Sequence, residues 1–319
     1  MRAVTQYRYG PPHVLRVEDV PPPAPGDDDV LVKVHAAAVT RTDCGYRAPH
    51  PPLLMRFFNG LFRPKRRILG SEFAGIVESV GRNVASFQVG DRVFGATGFR
   101  VGAHAEYVCL PHTGRIAHLP PALSFAEGAS ILEGALYSLP GLRTMGVGPG
   151  IRLLVYGASG AIGSASVQLG KALGAHVTAV CSTRNVDLVR SLGPDVVIDY
   201  TKQDFTQNGQ TYHVIHDAVG KHSFLRCWRS LAPGGTYAAT DGLENLLFGL
   251  LTWRAEGKKA RMHMGRVSQK DVLYLKQLIE SGQYRPVVDR VYPLDQVVAA
   301  TAYVETGKKT GNVVLAVTH

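Results

Sequence analysis

The sequence lacks most of what would place a chain in a membrane or in a disulfide scaffold. Nowhere in its 319 residues does an apolar run approach the roughly 18 residues of a membrane span, which excludes a transmembrane reading. The start, Met1-Arg-Ala-Val-Thr-Gln-Tyr7, has no apolar stretch followed by a small-residue cleavage site, so a cytoplasmic location is expected. The four cysteines, Cys44, Cys109, Cys181 and Cys227, are too far apart for a zinc knuckle or a redox pair and are expected to be buried free thiols. Acidic residues are scarce as well. Only 25 face 35 basic ones, a formal charge of +10 that favours anionic ligands.

What is present has the composition of a globular chain long enough for two domains sharing a cleft, with no repeats or low-complexity stretches. The first third reads as β structure. Val30-Leu-Val-Lys-Val-His-Ala36 alternates as a strand does, Val89–Gly95 and Ala105–Cys109 look like further strands, and Pro21–Gly26 is a loop because proline removes ladder donors. From about residue 150, buried apolar strands alternate with helical segments, the signal of a parallel sheet covered on both faces. The candidate strands are Leu153–Tyr156, His176–Val180, Val196–Ile198, Val214–His216 and Thr236–Ala239. Ile162, Ala165, Leu169 and Ala172 fall on one helical face between the first two. A later helix is announced by Ser268-Gln-Lys-Asp271, followed by Val272, Leu275, Leu278 and Ile279 and stopped at Gly282. Arg285–Tyr292 and Asn312–Val317 are strands again. The nucleotide domain, residues 120–284, thus reads as an insertion between residues 1–119 and 285–319.

Gly157-Ala-Ser-Gly160-Ala-Ile-Gly163 lies directly between the strand ending at Tyr156 and the helix. In that setting Gly157 permits the tight turn, Gly160 lets a pyrophosphate approach, and Gly163 allows close helix–strand packing, with Ser159, Ala161 and Ile162 supplying the rest of the cradle. An ATPase phosphate loop would need a lysine after its last glycine, where Ser164 stands. A tyrosine and lysine four apart, as short-chain dehydrogenases need, do not occur. Cofactors with a free ribose 2′-hydroxyl call for an acidic residue at the end of the second strand. The residues there are Cys181-Ser-Thr-Arg-Asn185, so Ser182, Thr183 and Arg184 are expected to hold a 2′-phosphate, and NADPH is the expected cofactor.

Tyr9–Leu15, Pro25-Gly26, Ile68–Gly81, Val89–Gly95 and Gly311–Leu315, in that order, resemble the markers of the medium-chain dehydrogenase/reductase superfamily along nearly the whole chain. The resemblance implies an α/β chain with a GroES-like β-barrel catalytic domain and a Rossmann, doubly wound nucleotide-binding domain. Zinc enzymes of that superfamily place a cysteine where this chain has Thr40 and a histidine where it has Ser71, and they carry a four-cysteine lobe that is missing here. Glu72 and Glu133 remain, but two carboxylates without nitrogen or sulfur partners do not make a typical zinc site. The likeness is therefore to the zinc-independent quinone oxidoreductase and enone reductase branch.

That branch implies hydride transfer from NADPH to a small-molecule quinone or enone. By position, Tyr200 joins the 2′-phosphate group, while Val219, Gly220, Asp241 and Gly242 lie near the ribose and nicotinamide. Thr40, Asp43 and Tyr46 are the candidate proton donors, with solvent as a competitor. The branch usually has asparagine at Thr40 and a basic residue at Asn312; the first touches the substrate pocket and the second the cofactor. A homodimer through an edge strand at Ala260–Gly265 is expected by the same analogy, while Leu246–Trp253 reads equally as pocket wall or dimer surface. His104, His112 and His118 fit no metal spacing and read as loop residues.

Two other classes stand beside the enzyme. One is an NADPH-binding regulator without turnover, suggested by Thr40 and Asn312. The other is a protein that binds nucleic acid or an anionic membrane surface through Arg63-Pro-Lys-Arg-Arg67, which follows the apolar Leu53–Phe58. A solvated loop is the plainer account of that run.

Overall fold

The computed structural model describes residues 1–49, 56–57, 59–240, 243–252, 257–262 and 267–317. It divides into two compact units, Met1–Glu133 with Ser268–Glu280 and Pro286–His319, and Gly134–Val267 with Ser281–Arg285.

The first unit is built on a seven-stranded sheet. Its order is Val288–Pro293, Asn312–Ala316, Asp29–Val39, Glu72–Val80, Arg92–Ala96 and Arg115–His118, with Tyr107–Pro111 also paired to Asp29–Val39. All pairings are antiparallel except that of Val288–Pro293 with Asn312–Ala316. The long strand Asp29–Val39 organises it. Val30, Val32 and Val34 are wholly buried, as their alternation requires. From Ala36 to Val39 every residue is buried, because the helix Phe125–Ala129 covers the other face and the small alanines let it approach. Phe73, Phe94 and Ile116 complete a core without solvent exposure.

The helix Gln269–Glu280 belongs to this unit, although its place among alternating strands and helices put it in the nucleotide domain on sequence. Ser268 caps it through Asp271, and the Gln269 amide donates to the His112 and Ile116 carbonyls at 3.1 and 3.5 Å.

The second unit carries a six-stranded, wholly parallel sheet. Its order is Val196–Asp199, His176–Cys181, Arg152–Tyr156, Tyr212–Asp217, Leu231–Ala239 and Lys259–Met262. Chain order therefore runs outward in both directions from the gap between Arg152–Tyr156 and Tyr212–Asp217, and such a reversal point is where open α/β sheets bind ligands. The helix Ala161–Ala172 departs from the one-faced pattern expected of it. Ser164, Ser166 and Gln168 are buried along with Ala165 and Leu169, whereas Ile162 and Ala172 are half-exposed. The polar groups are satisfied inside. Ser166 Oγ lies 2.9 Å from His216 Nδ1, and Gln168 exchanges two hydrogen bonds with the Arg285 backbone. Among the described residues no helix is long and apolar enough to cross a membrane.

Candidate functional site

The site of the second unit starts from one backbone approach. Gly157 has a φ of +78°, and a Cβ there would meet the Val219 side chain at 2.6 Å. A Cβ on Gly163 would stand 2.0 Å from the Gly157 carbonyl oxygen, so both positions require glycine. The Gly157 and Ala158 amides donate to the Val180 carbonyl at 3.1 and 2.9 Å and tie the turn to the neighbouring strand. Gly160 is the N-cap of the helix Ala161–Ala172 and brings no side chain to it. The space a Cβ would fill there has no nearer neighbour than the Gly157 carbonyl oxygen at 3.7 Å. The first-turn N–H groups of Ala161, Ile162 and Gly163 thus lie at a helix start without a side-chain cap, a setting that suits an anion. Ser159 Oγ accepts from Asn185 at 2.9 Å, a buried residue the sequence reading passed over. It joins the glycine loop to the strand end, and its own signal is only an amide in a turn.

At that strand end the structure corrects one reading and adds a residue. A carboxylate is present after all, supplied by the next strand. Asp199 pairs in register with Cys181 and accepts from Thr183 Oγ1 and Thr201 Oγ1, both at 2.7 Å, and from the Thr201 amide at 3.0 Å. These bonds, Thr183 foremost, hold its carboxyl below the usual range. The Thr183 hydroxyl proton is given to Asp199, which leaves its side chain an acceptor. Ser182 Oγ has only a long contact of 3.4 Å from Asn185, and Arg184 is exposed at the same turn. Tyr200 is 50% exposed, its ring centroid 6.1 Å from that of Tyr156.

Across the switch point Asp217 does the organising. This wholly buried carboxylate accepts from the amides of Val219, Gly220 and His222 at 3.1, 2.9 and 2.8 Å and from the Tyr237 hydroxyl at 2.9 Å. Asp217 thus fixes the loop that carries Val219 and Gly220. A strand-end aspartate before Ala-Val-Gly was the available signal. The His222 ring packs edge-on against Tyr156 and Phe205, with centroids 4.4 and 4.9 Å apart. Burial draws its pKa below the ordinary value, which favours the neutral imidazole. Asp241 and Gly242 lie outside the described residues.

The first unit holds the residues expected to handle protons. Thr40 is the N-cap of the helix Arg41–Arg47, and its N–H and Oγ both donate to Asp43 at 2.8 Å. Asp43 also accepts from the Gly70 amide at 2.9 Å and lies 3.9 Å from His104 Nε2. Both residues are 2% exposed or less. Thr40 and Asp43 are thus consumed in a capping box, a structural role their spacing of three already permits. Tyr46 is half-buried, which raises its pKa.

The unexpected group is Glu72. Burial, then the fields of Asp43 and Glu133, pushes its carboxyl up to about 8, against a 2.7 Å hydrogen bond from Ser71 Oγ. Glu133 is also raised by burial, opposed by Lys309, whose Nζ lies 3.5 Å away. Asn312 is buried in this unit. Its Nδ2 donates to the Ser130 and Val287 carbonyls at 3.2 and 3.0 Å, and its Oδ1 has no partner. His104 donates to the Ala38 carbonyl, His112 meets Ser86 and His118 meets Asp91; contrary to a loop reading, His118 ends the strand Arg115–His118 and His104 is buried.

A parallel sheet of this order with an uncapped glycine turn at its switch point defines a dinucleotide-binding unit, here in a chain that also carries a mostly antiparallel domain. Residues 26–121 match the family model of the alcohol dehydrogenase GroES-like domain, and residues 192–315 that of the zinc-binding dehydrogenases. The chain is 31% identical to the chloroplastic quinone-oxidoreductase QR1 of Triphysaria versicolor, over 99% of this chain and 98% of that one. It is 30% identical to the chloroplastic NADPH-dependent alkenal/one oxidoreductase of Arabidopsis thaliana, over 99% of this chain and 79% of the other. The solved quinone oxidoreductase of Coxiella burnetii superposes with a TM-score of 0.88 at 27% identity, covering 100% and 99% of the two chains. The chain belongs to the medium-chain dehydrogenase/reductase superfamily, in its quinone oxidoreductase-like branch, a family of NAD(P)H oxidoreductases.

Two outcomes are expected. Gly163→Ala should push the helix start off Gly157, destabilise the second unit by about 1–3 kcal/mol in urea unfolding and abolish nucleotide binding by titration. Glu72 has a folded pKa raised above its ordinary value, so its contribution to stability is full below about pH 4.5 and lost as pH rises through about 8. Glu72→Gln, neutral throughout, should flatten that decline. An unchanged slope in urea unfolding across this range would contradict the assignment.

Proposed function

We propose that this protein is a zinc-independent oxidoreductase that takes NADPH and passes a hydride to a quinone or an α,β-unsaturated carbonyl. One observation carries the cofactor choice. At the second strand end Asp199 already accepts three hydrogen bonds from Thr183 and Thr201, while Ser182 and Arg184 stand at the same turn with hydroxyl and guanidinium donors for a phosphate. The amides of Ala161, Ile162 and Gly163, with the dipole of their helix, would hold the diphosphate. Ser182 and Arg184 would hold the 2′-phosphate with Tyr200 beside them, and Val219 and Gly220 would wall the ribose, joined by Asp241 and Gly242.

Bound there, the nicotinamide supplies the hydride chemistry. The protein's own residues must orient the acceptor and supply a proton. Thr40 can release its proton only by breaking its bond to Asp43. Tyr46 is the better candidate, since a phenol is protonated at neutral pH and burial raises its pKa further. Glu72 is a second reservoir, protonated at neutrality and joined to Ser71. The names of the Triphysaria and Arabidopsis relatives agree with this substrate class.

Zinc independence rests on the donor set. Hydroxyls stand at Thr40 and Ser71. The Cys44 thiol is pushed up to about 12, chiefly by burial, which disfavours the thiolate a metal needs. No group of three or more His, Cys, Asp or Glu side chains among the described residues is placed to hold an ion. A homodimer through the edge strand Lys259–Met262 fits the same reading; the exposed Leu247, Leu250 and Leu251 of the helix Leu243–Leu251 are an apolar surface for it. Residues 263–265 of the expected edge and Trp253 lie outside the described residues.

Titration of both cofactors tests the choice. NADPH should bind more tightly than NADH, and Arg184→Ala should weaken NADPH by roughly tenfold to a hundredfold while hardly touching NADH. A wild type that prefers NADH, or equal losses for both, would refute it. Elemental analysis should find no stoichiometric zinc, and chelators should leave activity intact; one zinc per chain, lost together with activity, would overturn that part.

A further inference from the structure

One feature of the first unit has no part in the oxidoreductase reading. The loop containing the basic run is tied to the start of the chain. Gln6 donates from its amide nitrogen to the Arg66 carbonyl at 3.1 Å and from its backbone to that of Arg67 at 2.7 Å, and the Tyr9 hydroxyl donates to the Gly60 carbonyl at 2.7 Å. These bonds bring Arg63 beside Arg8, His13 and Arg16. With Tyr7 and Val14 they line an open cavity of about 460 Å³.

Three arginines around one hollow repel each other unless something anionic lies between them. Among the described residues none of the three makes a salt bridge within 4 Å. The field of Glu18 reaches Arg16 and Arg67, but that carboxylate accepts from the Tyr7 hydroxyl. The segment leading into Arg63 displays exposed apolar side chains. Phe62, next to Arg63, is 87% exposed, Phe57 73% and Leu61 47%.

The two observations select the ligand together. A soluble phosphate would use the arginines and leave Phe62 in water. An interface that is anionic at its surface and apolar just beneath uses both. We propose that this face docks on an anionic lipid bilayer, with Arg8, Arg16 and Arg63 taking lipid phosphates, His13 at the rim, and Phe62, Leu61 and Phe57 entering the interfacial layer. The proposal concerns where the protein works and is independent of its cofactor and substrate.

Co-sedimentation of the full chain with vesicles tests it, comparing pure phosphatidylcholine with phosphatidylcholine mixed with phosphatidylglycerol. Binding is expected to the mixed vesicles alone and to weaken as salt is raised. Arg8→Ala and Arg63→Ala should each lower affinity about fivefold, and Phe62→Ala about tenfold. Because these side chains are exposed, thermal unfolding should not move. Any of four results would overturn the proposal. These are equal binding to neutral vesicles, no binding to either kind, unchanged affinity in Phe62→Ala, and displacement from vesicles by millimolar inorganic phosphate or by an RNA oligonucleotide bound as tightly as lipid. The last would make the hollow a site for a soluble anion or for nucleic acid.

Discussion

The second unit depends on how closely a helix comes to a strand. With 2.0 Å between the Gly157 carbonyl oxygen and the place a Cβ on Gly163 would take, the helix Ala161–Ala172 rests on the turn itself. Its first N–H groups are thereby aimed at the gap where the strand order reverses. Side chains on the helix are buried almost all round to hold that contact, and polar ones among them are paid with internal bonds such as Ser166 to His216. On the far side of the gap Asp217 fixes the Val219 loop with four donors. Each donor satisfies part of a carboxylate that would otherwise be costly to bury. Two turns, one made by glycines and one by an aspartate, thus flank the gap where the strand order reverses.

In the first unit the same economy acts on protons. Asp43 has acceptor duties to Thr40 and Gly70, and its charge, with that of Glu133, adds to burial in keeping Glu72 protonated. A carboxyl that remains an acid at neutral pH is a donor, which is what a reduction needs after hydride has arrived. The capping box at Thr40 and the acid at Glu72 are consequently one arrangement, since a change at Asp43 would alter both.

Much of this was legible in the sequence because it rests on local pattern. The Gly157–Gly163 spacing between strand and helix located the cradle. The alternation at Val30, Val32 and Val34 gave the inward face of the long strand. What escaped were relations between strands distant in sequence. Asp199 reaches Thr183 only because two parallel strands lie in register, so a strand end that looks devoid of carboxylate is not. Asp217 and Asn185 carry no spacing that marks them as acceptor and bridge. The Gln269–Glu280 helix has the capping of any helix, and only the His112 and Ile116 carbonyls reveal the unit to which it belongs. Thr40 and Asp43 were read as chemistry where their spacing of three also spells a cap.

The central claim is that the protein holds a nicotinamide whose hydride goes directly to carbon or to a quinone, without a metal. Its most direct test follows the label from NADPH deuterated at C4, with each face of the ring labelled in turn, into an α,β-unsaturated ketone in ordinary water. The account predicts that one of the two labelled forms places deuterium on the β-carbon of the product while the α-carbon acquires its hydrogen from solvent. NADPH oxidation by an enone that leaves no deuterium at the β-carbon of its product, or no oxidation with any member of either class, would contradict it.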